Sequence, residues 1–144
     1  FVRMQVRVGE ADRALTERLD EEIYAFNAEA TGLYDGRLLT VRASNGESLV
    51  GGLSGWTWGG CGYVDVLWIA ADYRGRGLGT ELLGAAEREM TARGCVHVVL
   101  ASHSFQAPGF YRRRGYSQIA EIADYPVGHS EVFFSKHLPA DDER

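Results

Sequence analysis

The stretch Ala71-Asp72-Tyr73-Arg74-Gly75-Arg76-Gly77-Leu78-Gly79-Thr80 constrains this chain more than any other. An apolar run, Val64 to Ala70, precedes it, broken only by Asp65, and after it Leu78, Leu82, Ala86 and Met90 recur every four residues. That change of period predicts a strand feeding a helix through a glycine loop. Gly75, Gly77 and Gly79 carry no side chains to hold a ligand off the backbone. The first-turn N–H groups of the helix lack intrahelical partners, and its dipole is positive there. With Arg74 and Arg76 adjacent, the loop is a cradle for a phosphate or pyrophosphate. A Gly-rich turn with two solvated arginines would show the same residues, so the rest of the chain has to decide.

Two common phosphate loops do not fit. The loop ends Gly79-Thr80-Glu81, without the Gly-Lys-Ser/Thr of a nucleotide hydrolase. Its glycines run Gly-x-Gly-x-Gly rather than Gly-x-Gly-x-x-Gly, and at least three expected strands precede it, which argues against a dinucleotide fold.

The 144 residues, 45% of them apolar, suit one domain with a real core, expected over residues 1–138 with an acidic tail at 139–144. Phe1, Val2 and Arg3 precede Met4 and read as vector sequence or a different start. No apolar run approaches a membrane span and no signal-peptide pattern opens the chain, so a cytoplasmic protein without membrane partners is expected. The two cysteines, Cys61 and Cys95, form no framework and read as reduced thiols. His97, His103, His129 and His137 have no metal-ligand spacing, so no metal is expected. A net charge of −5 argues against nucleic acid and suits a cationic substrate. Arg112-Arg113-Arg114 reads as a solvated helix end.

In chain order, Gln5 to Val8 alternates like a first strand, and Leu15, Leu19, Ile23 and Phe26 place one helix or two within 11–30. Leu38–Arg42 and Ser48–Trp58 flank Asn45-Gly46, a hairpin signal, and Gly59-Gly60 leads into Gly62–Ala70. The glycine-loop helix should end at Arg93-Gly94. Cys95–Ala101 reads as a strand covered on both faces, Ala107–Arg114 as a short helix, and Tyr116–Ala123 with Glu131–Lys136 as a closing hairpin.

These features together resemble the GNAT superfamily of acetyl-coenzyme A-dependent N-acetyltransferases. Arg74-Gly75-Arg76-Gly77-Leu78-Gly79 is similar to that family's Arg/Gln-x-x-Gly-x-Gly/Ala loop. Ala107-Pro108-Gly109-Phe110-Tyr111-Arg112-Arg113-Arg114-Gly115-Tyr116 is similar to its Ala-x-x-Phe-Tyr-x-x-x-Gly-Phe/Tyr segment. The resemblance implies an α/β (α+β) GNAT fold: a mixed, mostly antiparallel twisted sheet of about 6–7 strands with helices on both faces. It implies acetyl transfer from acetyl-coenzyme A to a primary amine of a small molecule or a protein, by direct attack in a ternary complex. Arg74 through Thr80 would bind the pyrophosphate. Leu67, Trp68 and Ile69 would offer backbone groups to the pantetheine arm where two strands splay, and Ser104 and Phe110 would also touch the cofactor. Dimers are common in that family, which admits a homodimer here.

Tyr111 is the expected acid for the leaving thiolate, although Phe110-Tyr111 also reads as a pair of core aromatics. A lysine-type amine, with a pKa near ~10.4, must also lose a proton. At the position where many members carry a glutamate this chain has Tyr63, and Asp65 is the nearest carboxylate, acting directly or through a water. Glu29 and His129 are the other candidates. Ser104 stands where many members carry asparagine. Tyr63 and Ser104 keep open a non-catalytic acyl-coenzyme A sensor of the same fold. Acceptor specificity is expected from Tyr24–Asp35, Trp56-Thr57-Trp58 and the loop Asp124–Ser130, whose aromatics and carboxylates suit an amine.

Overall fold

The computed structural model describes residues 3–140, so most of the expected acidic tail lies outside the described residues. The chain falls into two compact units, Phe1–Tyr34 and Asp35–Arg144. No helix among the described residues is long and apolar enough to cross a membrane.

In the first unit, residues 3–12 adopt no regular structure, so the strand expected over Gln5–Val8 is absent. A four-residue alternation makes a strand only where a neighbour supplies ladder hydrogen bonds, and none of the sheet's strand pairs includes this segment. One continuous helix, α1 (Arg13–Thr31), follows. Asp12 caps it by accepting the Leu15 N–H at 3.0 Å. Gly32 ends it at φ 75°, donating to the Ala28 carbonyl at 2.7 Å.

The second unit contains six strands: β1 (Arg37–Asn45), β2 (Ser48–Trp58), β3 (Cys61–Ile69), β4 (His97–His103), β5 (Ser117–Ala123) and β6 (Ser130–His137). Their order in the sheet is β1-β2-β3-β4-β6-β5. Every pairing is antiparallel except β3 with β4. The first hairpin turns one residue later than the sequence signal, through Gly46-Glu47, because Asn45 still pairs with Ser48. Helix α2 (Leu78–Ala92) follows a single 3-10 turn at Ala71–Tyr73, and α3 (Pro108–Arg113) precedes β5. The core of this unit gathers Leu83, Ala86 and Met90 of α2 with Leu53, Val64, Val98, Leu100, Val132 and Phe134 of the sheet.

β4 begins two residues later than expected. The Cys95 N–H donates to the Met90 carbonyl, closing α2, and the Val96 N–H donates to Gly60, so neither joins the parallel ladder. The strand is not covered equally on its two faces. Val98, Leu100 and Ser102 are buried, whereas Val99, Ala101 and His103 are half-buried.

Two glycines hold β2, β3 and α2 at close approach. A Cβ on Gly62 would lie 2.3 Å from the Met90 sulfur, and one on Gly55 would lie 1.9 Å from the Tyr63 carbonyl oxygen. Gly55 faces a β-bulge: Gly55 pairs with Val64 but Ser54 with Val66, so Asp65 is the extra residue. The bulge exchanges the faces of β3, so that Val64 before it and Leu67 after it both pack on the core. Beyond the core, the Tyr116 hydroxyl and the Lys136 ammonium each donate to Glu87, both at 2.7 Å, tying α2 to the closing hairpin.

Candidate active site

Immediately past the bulge the sheet opens. β3 and β4 pair only from Cys61–Val64 against His97–Leu100, although β3 runs on to Ile69 and β4 to His103. The Ala70 N–H donates to the Val50 carbonyl at 2.8 Å. By the alternation of an antiparallel ladder, Trp68 then gives its backbone groups to Gly52, while Leu67 and Ile69 turn theirs into the opening. Of the three backbones expected to meet the cofactor arm, two therefore face the gap. The Ile69 carbonyl also accepts from Arg74 Nε at 2.9 Å.

A cleft of about 940 Å³ occupies this opening. One wall is the glycine loop. Gly75 and Gly77 have φ of 73° and 83°, and Gly77 is the N-cap of α2 with no side chain covering the helix end. A Cβ on Gly79 would lie 3.1 Å from Ile69 Cδ1 and 3.4 Å from Phe110 Cζ. The first turn thus sits tightly against β3 and α3, leaving its N–H groups, rather than side chains, toward the cleft. Arg74, Gly75, Gly77, Leu78, Gly79 and Thr80 all line the cleft. Arg76 does not, and its guanidinium lies over the Tyr73 ring at 5.4 Å.

Helix α3 supplies the second wall. Ser102 fixes its start by accepting the Ala107 N–H at 3.2 Å, with Pro108 in the first turn. Phe110 and Tyr111 both reach the cleft. Tyr111 is 7% exposed, with its ring among Phe110, Tyr116 and Phe134 at 5.2–6.0 Å. Its hydroxyl has no hydrogen-bond partner among the described residues and is not sealed off, since no buried side-chain oxygen is left unpaired. Burial raises its pKa, so the hydroxyl stays protonated and can donate.

Of the basic run, Arg112 and Arg113 are exposed, as expected of a solvated helix end, but Arg113 and the half-buried Arg114 also line the cleft. Arg114 donates to Thr80 Oγ1 from Nε at 3.0 Å and from Nη2 at 2.5 Å, and lies 5.3 Å over the Phe110 ring. A planar cation held at the first turn of α2 adds full charge to the dipole there.

The opposite side of the opening carries Tyr63, Asp65, His103 and Glu131. Tyr63 stacks on Trp56 with ring centroids 4.4 Å apart. Asp65, at the bulge, is exposed, and its carboxylate makes no hydrogen bond or ion pair among the described residues. Ser104 lies outside the cleft lining: its hydroxyl accepts the Ser130 N–H at 3.1 Å and its N–H donates to the Ser130 carbonyl, stitching β4 to β6. His129 also lies off the lining and packs edge-on against Phe105 at 5.0 Å. The residues that sequence reasoning missed come from the end of β4 (His103), the turn after it (Phe105 and Gln106), the end of α3 and its cap (Arg113 and Arg114) and the start of β6 (Glu131). The strand register pairs His103 with Glu131.

A parallel strand pair that splays beside a glycine loop at a helix N-terminus defines the class of protein. The chain matches the acetyltransferase (GNAT) family over residues 8–116, and it belongs to that family. It is 40% identical over 129 residues to blasticidin-S acetyltransferase of Streptomyces morookaense, a match spanning 83% of this chain and 92% of that one. An acetyltransferase structure from Bacillus cereus superposes with a TM-score of 0.78 at 28% identity, covering 92% of this chain and 98% of that chain. An aminoglycoside 6'-N-acetyltransferase complexed with coenzyme A shares the fold, with a TM-score of 0.64 at 16% identity over 71% of this chain and 73% of that chain.

Proposed function

We propose that this protein transfers an acetyl group from acetyl-coenzyme A to a primary amine. The observation that carries the reading is the convergence, in one cleft, of an unpaired sheet edge, a glycine-lined helix N-terminus and a free tyrosine hydroxyl. The residues present suit the cofactor. A pyrophosphate needs N–H donors and cations, and the first turn of α2 offers both, with Arg74, Arg113 and Arg114 around it. An amide-bearing arm needs backbone partners, which Leu67 and Ile69 supply as an edge strand would. Acetyl-coenzyme A brings the activated acyl group as a thioester.

Asp65 attracts the ammonium of the acceptor and takes a proton from its nitrogen, directly or through a water. Tyr111 donates its proton to the leaving sulfur, the role suited to a hydroxyl that burial keeps protonated. Burial raises the Cys61 and Cys95 pKa values, so both thiols stay protonated and are poor nucleophiles. That supports direct attack by the amine over an acyl-enzyme.

Thiol release from acetyl-coenzyme A, measured against a panel of amines and peptides headed by blasticidin S, tests the reading. Tyr111→Phe should lower kcat by about 100-fold or more, with acetyl-coenzyme A affinity unchanged. Binding of acetyl-coenzyme A without thiol release for any acceptor would sink the transferase reading and favour a sensor.

A further inference from the structure

An ammonium that becomes an amide loses two protons from its nitrogen, and Asp65 accounts for one. We propose that His103, held by Glu131 and the Tyr125 carbonyl, is the second proton acceptor and takes the first proton from the acceptor ammonium. This rests on the acetyl-transfer reading of the same cleft.

The hydrogen bonds fix the ring. His103 Nδ1 lies 3.2 Å from the Tyr125 carbonyl oxygen, and a carbonyl can only accept, so Nδ1 carries the proton. The lone pair of the neutral ring is then on Nε2. Nε2 lies 3.5 Å from Glu131 Oε2, an ion-pair distance. The carboxylate is thus close enough to offset the positive charge that the ring gains when Nε2 takes a proton. His103 and Glu131 are direct partners across the β4–β6 ladder, with side chains 22% and 18% exposed.

The ring is clamped on other sides too. Phe105 stacks parallel to it at 5.5 Å and Tyr125 meets it edge-on at 5.1 Å. Gln106 accepts the His103 N–H at 2.7 Å, fixing the backbone where the strand ends. The charged or titratable groups around the ring are Glu131 beside it, Tyr125 at its edge, His129 behind Phe105, and Asp65 in the same cleft.

An N–H bond of the ammonium breaks and an Nε2–H bond forms, giving an imidazolium whose Nδ1–H donates to the Tyr125 carbonyl and whose charge lies beside the Glu131 carboxylate. The freed nitrogen lone pair attacks the thioester carbon, and Asp65 takes the second proton. The C–S electron pair goes to sulfur, which takes the Tyr111 proton. Solvent then reprotonates Tyr111 and removes the protons from His103 and Asp65, so one proton is released overall.

Two experiments test this. In 15N-labelled wild-type protein, the neutral His103 ring should show the Nδ1–H tautomer; an Nε2–H tautomer overturns the proposal and needs no variant to fold. His103→Ala should reduce kcat by at least about tenfold with the best acceptor of the panel, leave acetyl-coenzyme A binding unchanged, and regain activity when imidazole is added. A smaller loss, or a loss that imidazole does not restore while acetyl-coenzyme A still binds, overturns it. Where wild type itself releases no thiol with any amine, the acetyl-transfer reading has failed, and the proton acceptor falls with it.

Discussion

Replacing Gly55 with alanine puts the Cβ 1.9 Å from the Tyr63 carbonyl oxygen, 3.0 Å from its carbon and 3.3 Å from Val64 Cα. All three are backbone atoms of the neighbouring strand, so no rotamer change relieves the clash. β2 and β3 must separate, or the bulge must be lost. The overpacking should cost about 3 kcal/mol, at the upper end of the usual range because the strand cannot yield locally. For a chain of this length that is a fall of roughly 10 °C in Tm. The control is Gly84→Ala in α2, where the new Cβ meets only the movable Arg88 Nη1 at 3.3 Å. There the helix should gain roughly 0.5–1 kcal/mol. Urea unfolding of both variants, with thermal melts alongside, measures the difference. Removal of the bulge would also return Asp65 to a regular strand position, so Gly55→Ala should lose thiol release even at temperatures where it remains folded. A Gly55→Ala protein that melts within about 2 °C of wild type would refute the close-approach argument.

Arg114→Gln should weaken acetyl-coenzyme A binding about tenfold or more, the loss of one charge-assisted contact, whereas Ser104→Ala should leave it within about twofold; calorimetry on both checks the assignment. Burial raises the hydroxyl pKa of both Tyr111 and Tyr116, and for Tyr116 the carboxylate of Glu87 adds to it. These groups bind more protons folded than unfolded, so their stabilisation is complete below the unfolded value and is lost as the pH rises above about 10. Denaturant midpoints should fall there with a slope of up to about 1.4 kcal/mol per pH unit for each tyrosine, and Tyr116→Phe should remove one share of that slope.

What the sequence made legible was local. The glycine loop, the four-residue stripe of α2, the Asn45-Gly46 hairpin and the Ala107–Tyr116 segment each depend on spacing within a few turns, and each is present close to its expected bounds. The misreadings share a different cause. Gln5–Val8 alternates like a strand, but alternation does not supply a partner. Arg114 departs from the solvated run to which Arg112 and Arg113 belong, because nothing in the chain says that Thr80 lies opposite it, 34 residues away. Glu131 and His103 carried no signal at all, because their pairing follows from β6 inserting between β4 and β5, a matter of topology rather than spacing.

That topology also explains how a chain of net charge −5 can receive an anionic cofactor. Total charge sets the far field, but binding responds to the potential inside the cleft. Arg74, Arg113 and Arg114 stand with the α2 N-terminus, while Asp65 and Glu131 come from the bulge of β3 and the start of β6. On β4 and β6, the residues that pack on the α2 core, Val98, Leu100, Val132 and Phe134, alternate with His103 and Glu131. The acidic group therefore belongs to the other face of the sheet from the core that carries Tyr111. The break between β3 and β4 is where the two faces communicate. In the proposed reaction, a cationic acceptor drawn to the acidic face and an anionic cofactor held at the helix end would meet at that break. One bulge at Asp65, permitted by the missing side chain of Gly55, stands at the opening of the sheet and, on the proposed reading, would set the side from which each substrate arrives.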